Sequence, residues 1–97
     1  MAQFDVYEVA GNLVLDVQTD LLGRMPGRVV CPLRRPDGEI APHPRLNPTN
    51  WLQGEPYVVV MHYMSAIPTA LLGRPLDNLD EYYDQIKSAY DMMFNGF

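Results

Sequence analysis

The chain opens on alternation. Phe4-Asp5-Val6-Tyr7-Glu8-Val9 sets apolar and polar residues largely in turn, the period of a strand with one buried face. Ala10-Gly11-Asn12 is a turn signal, and Leu13-Val14-Leu15-Asp16-Val17-Gln18 starts a second strand, so a hairpin is predicted. A short Thr19-Asp20-Leu21-Leu22 connection reaches Gly23, and Pro26-Gly27 marks another turn. Arg28-Val29-Val30-Cys31-Pro32-Leu33 reads as a third strand ended by its proline, which has no N–H to give to a ladder.

Residues 34–56 hold five of the nine prolines, with Gly38 and Gly54, and read as a surface excursion carrying a short strand around Trp51-Leu52. Tyr57-Val58-Val59-Val60-Met61-His62-Tyr63-Met64 carries the strongest β signal, apolar on both faces like a central strand. Ile67 to Leu72 is a further strand candidate, bounded by Gly73.

The pattern then changes period. Asn78 followed three residues later by Glu81 has the form of a helix N-terminal capping box. Leu79, Tyr82 or Tyr83, Ile86, Ala89 or Tyr90, and Met93 recur at steps of three and four, one face of an amphipathic helix. Asp80, Glu81 and Asp84 fall in its first turns, where the helix dipole favours negative charge, and Gly96 supplies the stop. The residues therefore predict a mainly β, antiparallel domain with one C-terminal α-helix, spanning residues 1–97 as a single unit.

Charge and composition narrow the function. A net charge of −5 argues against attraction to nucleic acid or an anionic membrane by charge alone. Its distribution is uneven: Arg24, Arg28, Arg34, Arg35 and Arg45 share the central stretch, and Asp77, Asp80, Glu81, Asp84 and Asp91 the last quarter. The plain reading is a loop and a helix with solvated faces. Cys31 is the single cysteine and lies in an apolar run, where it packs as a small hydrophobe. Asp5, Glu8 and Asp16 near the start do not make a signal peptide, and Tyr57–Met61 is too short to cross a bilayer, so the expected compartment is the cytoplasm.

Catalytic chemistry is poorly represented. His43 and His62 sit in a proline-rich loop and a predicted strand, at no metal-binding spacing with Cys31. No phosphate loop, nucleophile elbow or paired zinc histidines occur, and capping explains Asp80-Glu81. The expectation is a binding protein, not an enzyme, with no cofactor and no metal.

Several segments then carry a resemblance. Gln3-Phe4-x-Val6-Tyr7, Asp16-Val17-Gln18-Thr19-Asp20-Leu21-Leu22, Arg28-Val29-Val30-x-Pro32-Leu33, Leu46-x-Pro48, Met64-x-x-Ile67-Pro68 and the terminal Met93-Phe94-Asn95-Gly96-Phe97 resemble the landmarks of CcdB-type toxins. The resemblance implies an SH3-like barrel that forms a homodimer. It implies a toxin of a toxin–antitoxin pair, tied to plasmid maintenance, that lodges against the dimerisation region of the DNA gyrase A subunit. There it would trap gyrase on cleaved DNA, and a cognate antitoxin would release it. Carried over by position, the gyrase-binding residues would be Leu21, Leu22, Asp91, Phe94, Asn95, Gly96 and Phe97. The antitoxin-binding residues would lie at Asp5, Tyr7, Gln18, Asp20, His62 and Tyr63. Asn95 departs from the best-known member, which has a tryptophan there that stacks on gyrase.

The residues themselves add one point: the last turn, with Met92, Met93, Phe94 and Phe97, is almost wholly apolar, and exposed clusters of that kind mark interaction sites. Two alternatives stay open. An SH3-like mRNA-cleaving toxin would draw on the arginines between Arg24 and Arg45, against the net acidity. A family member that folds and pairs with an antitoxin, yet no longer poisons gyrase, fits Asn95.

Overall fold

A computed structural model describes residues 2–23, 25–37, 43 and 45–96. The alternating start folds as a hairpin of β1 (Asp5–Val9) and β2 (Asn12–Asp16), joined at Ala10-Gly11. Both turn residues have positive φ, 51° and 81°, the backbone that matches the right-handed twist of the strands it links. Next come β3 (Gly27–Arg34), β4 (Thr49–Leu52), β5 (Glu55–Val59), β6 (Ser65–Pro68), β7 (Asp77–Asn78) and α1 (Tyr83–Asn95). Among the described residues the seven strands are antiparallel and ordered β4-β5-β3-β2-β1-β7, with β6 on the first half of β3. They form a nearly closed barrel with one C-terminal helix, the fold class the sequence predicts.

Pro32 lies inside β3 and does not end it. Its carbonyl accepts from Val60 N at 2.9 Å, so the proline nitrogen faces that same side and not β2. On that side β6 pairs with Gly27–Val30 and β5 with Leu33–Arg34. The missing donor therefore falls in the gap between two partners, where no ladder bond is lost.

The 57–64 run also departs from expectation. Val58 and Val59 are both buried, which gives the two-faced apolar signal, but the strand ends at Val59. The chain then makes a short 3-10 turn, Met61–Tyr63, which sends the fully buried Met61 into the core and leaves His62 and Tyr63 outside. β5 is not central either, since only β4 separates it from the edge. Trp51 N on β4 donates to the Tyr82 hydroxyl at 3.2 Å, which occupies one of that edge strand's outward groups. The Ile67–Leu72 candidate likewise splits into the end of β6 and a 3-10 turn, Thr69–Leu71.

The helix begins four residues later than the capping-box reading places it. Asn78 belongs to β7, and its Oδ1 accepts from Asp80 N at 2.7 Å, an Asx turn ahead of the 3-10 turn Asp80–Tyr82 that leads into α1. Leu79, Ile86 and Ala89 then join Phe4, Val6, Leu15, Cys31, Leu33, Val59 and Met61 in one core. Burying a residue such as Ile86 contributes about 1.5–3 kcal/mol, enough to fix which face of α1 meets the barrel. No described helix is long and apolar enough to cross a membrane.

Candidate binding surface

The Asp20–Leu22 turn follows β2 and is closed by two local bonds. Thr19 Oγ1 accepts from Leu21 N at 3.2 Å, and Gly23 N donates to Asp20 O at 3.1 Å. The turn buries none of its residues: Leu21 is 94% exposed and Leu22 56%. Two aliphatic side chains thus stand in solvent on a loop that packing does not hold.

On α1 the face beside the core forms a second stripe. Tyr83, Lys87, Tyr90 and Phe94 recur at steps of four, three and four, which puts them on one line of the helix. Tyr90 and Phe94 touch at 4.7 Å between ring centroids, and Tyr83 meets the buried Phe4 edge-on at 5.5 Å. With Leu22, Val17, Gln18, Met61 and Met64 these residues border an open groove of about 470 Å³. Phe4, at φ 70°, is a non-glycine residue in the left-handed region, held there by its N–H to Asp16 O at 2.6 Å and its carbonyl to Leu79 N at 2.9 Å.

The helix ends as its glycine predicts. Gly96 takes φ 78°, and its N–H returns to Met92 O at 3.1 Å. Phe94, Asn95 and Gly96 are exposed and Asp91 is half-buried. Of the residues expected at gyrase, Leu22 and Phe94 therefore border one groove, with Leu21 beside the first and Asp91, Asn95 and Gly96 beside the second. Phe97, like Arg24, lies outside the described residues.

The residues expected at the antitoxin separate into three groups. Asp5 and Tyr7 are buried, the Tyr7 hydroxyl donating to Asp5 Oδ2 at 3.3 Å. Burial first, then the charges of Asp5 and Asp16, push the Tyr7 hydroxyl up to about 12. Tyr7 is only 1% exposed, so truncating it disturbs the core before any surface. His62 and Tyr63 instead stack edge-on outside the barrel at 4.6 Å. His62 Nδ1 sits 3.2 Å from Asn47 Nδ2, and that buried amide also donates to Val59 O. His43 closes its own loop, its Nδ1 accepting from Arg45 N and Leu46 N. Gln18 and Asp20 fall beside Leu22, so the two expected sets meet at one rim of the groove.

Sequence reasoning missed a buried ion pair. Arg28, read among solvated arginines, is 3% exposed, and its guanidinium contacts Asp16 Oδ2 at 2.6 Å. Burial raises the Asp16 carboxyl above its usual range, against the opposing pull of Arg28. Gln18 Oε1 accepts from Val29 N at 3.1 Å, while its buried Nε2 has no partner among the described residues. The Tyr83–Lys87–Tyr90–Phe94 spacing was the signal that locates the groove's helical wall. Burial pushes the Cys31 thiol up to about 12, so at neutral pH it is no nucleophile.

No curated protein matches the chain. The family model described as CcdB protein matches residues 3–96, which takes in the barrel, the Asp20–Leu22 turn and the helix through Gly96. That match spans nearly the whole chain, and the protein therefore belongs to the CcdB family, toxins of toxin–antitoxin systems.

Proposed function

We propose that this toxin binds the dimerisation region of the DNA gyrase A subunit and holds gyrase on cleaved DNA, with no bond made or broken by the toxin itself. The observation that carries the reading is the pair of apolar contacts left in solvent: Leu21, 94% exposed on its turn, and Phe94, 54% exposed on the last turn of α1. Interface energy concentrates in a few such side chains. Asn95 is exposed beside Phe94 and offers no aromatic area, so Phe94 and Leu21 carry the contact that a tryptophan would share.

The protein acts as a homodimer in this reading. A two-fold target is matched by a two-fold toxin. A cognate antitoxin neutralises it, a segment that orders on binding at Gln18, Asp20, His62 and Tyr63.

Sedimentation of the toxin with the gyrase A dimerisation fragment tests the reading. One toxin dimer per A-subunit dimer is expected. A folded toxin that forms no complex at micromolar concentration refutes it.

A further inference from the structure

We propose that Arg28 is a positioning residue: its buried guanidinium tethers the Asp20–Leu22 turn to the barrel and so sets where Leu21 and Leu22 stand. The inference rests on the reading that those leucines meet the target.

Arg28 reaches three acceptors at alternate positions of one segment. Nε donates to Asp16 Oδ2 at 2.9 Å, and one terminal nitrogen lies 2.6 Å from that same oxygen. That terminal nitrogen also donates to Gln18 O at 3.4 Å and faces Asp20 Oδ1 at 3.6 Å. The first contact anchors the cation at the end of β2; the other two follow the chain out to the turn. A planar, always-charged fork can serve several oxygens at once, which an ammonium on a flexible stem cannot.

None of Asp20, Leu21 and Leu22 is buried, so hydrophobic packing does not position them. The other tie is Gln3 N, which donates to the same Asp20 Oδ1 at 2.8 Å. Asp20 is therefore shared by the N-terminal segment and by Arg28, and the two tethers are separable by substitution. Removing Asp20 cuts both. Replacing Arg28 by lysine keeps the charge beside Asp16 and leaves the Gln3 bond in place, but loses the fork.

The first readout is backbone order parameters from NMR relaxation in the wild type, Arg28→Lys and Asp20→Ala. In the wild type, Leu21 and Leu22 are expected near the rigid-backbone value of about 0.85, and in both variants below about 0.6. Val14, Leu15, Val30 and Cys31 in the β2–β3 ladder are expected to stay at the rigid value. Loss of order across the ladder as well would make Arg28 a general structural residue and overturn the proposal. Mobility in Asp20→Ala alone would assign the tether to Gln3 and also overturn it.

The second readout is coupling. Leu21→Ala should weaken gyrase A binding by at least about 30-fold in the wild type but less than about threefold in Asp20→Ala, since a leucine already out of place has little left to lose. Equal factors in both backgrounds would contradict positioning. A wild type that binds no gyrase A would sink the target reading, and the order parameters would still decide the tether.

Discussion

Replacing Leu21 by alanine separates a binding residue from a folding residue more cleanly than any other single change. At 94% exposure the side chain buries almost nothing in the folded monomer. Its loss should therefore change stability by no more than about 0.5 kcal/mol, the usual range for a surface substitution. For a domain of this size that is roughly 2–4 °C in Tm. Full burial of a leucine is worth about 1.5–3 kcal/mol, of which alanine keeps a part, so the loss at an interface is about 1–2 kcal/mol per copy. With both copies of a dimer engaged the total is about 2–4 kcal/mol, or roughly 30- to 1,000-fold in affinity. The assay is calorimetric titration of the gyrase A fragment, alongside thermal melts. Leu33→Ala is the contrasting control, because Leu33 is 3% exposed in the core and its truncation should cost about 2–5 kcal/mol of stability. Unchanged affinity in Leu21→Ala, or a fall in Tm as large as that of Leu33→Ala, would refute the reasoning.

Two further outcomes follow from buried titrating groups. The Tyr7 hydroxyl is raised from 10.0 to about 12, so its contribution is fully present below pH 10 and is lost as pH rises through 12. Wild type should lose up to about 3 kcal/mol more than Tyr7→Phe across that window, measured by urea unfolding at stepped pH. Parallel curves for the two proteins would contradict it. Cys31 is fully buried with its thiol raised to about 12, so a thiol reagent at pH 8 should label it only at the rate of unfolding. Fast labelling of the folded protein would show that β3 opens locally.

What the sequence made legible depended on whether the cause was local. Alternation with Ala10-Gly11 located the first hairpin, since period and turn geometry are properties of adjacent residues. The same holds for Gly96 at the helix end and for the Leu79, Ile86 and Ala89 face. Failures came where tertiary partners decided. The 57–64 run is buried on both faces whether it stays extended or turns, so periodicity could not see the turn at Met61. Pro32 is tolerated within β3 only because β6 and β5 divide that edge between them. Arg28 reads as a surface charge until the β2–β3 register, which pairs Asp16 with Val30, carries Asp16 within its reach. At the site, the exposed leucines and the terminal aromatic were visible in the chain. Their place around one groove, and the burial of Asp5 and Tyr7, required the barrel to be closed first.

In the proposed function this protein converts gyrase into a DNA-breaking complex through an apolar tip. The measurement that tests it most directly is gyrase-dependent cleavage of supercoiled DNA, stopped with detergent and protease, using gyrase of the organism that encodes the toxin. Linear DNA should accumulate with added wild-type protein and only when gyrase is present. A Leu21→Ala/Phe94→Ala variant that melts within a few degrees of wild type should produce little of it. Folded wild-type protein that yields no linear DNA, with a gyrase-poisoning drug as positive control on the same enzyme, would contradict the account.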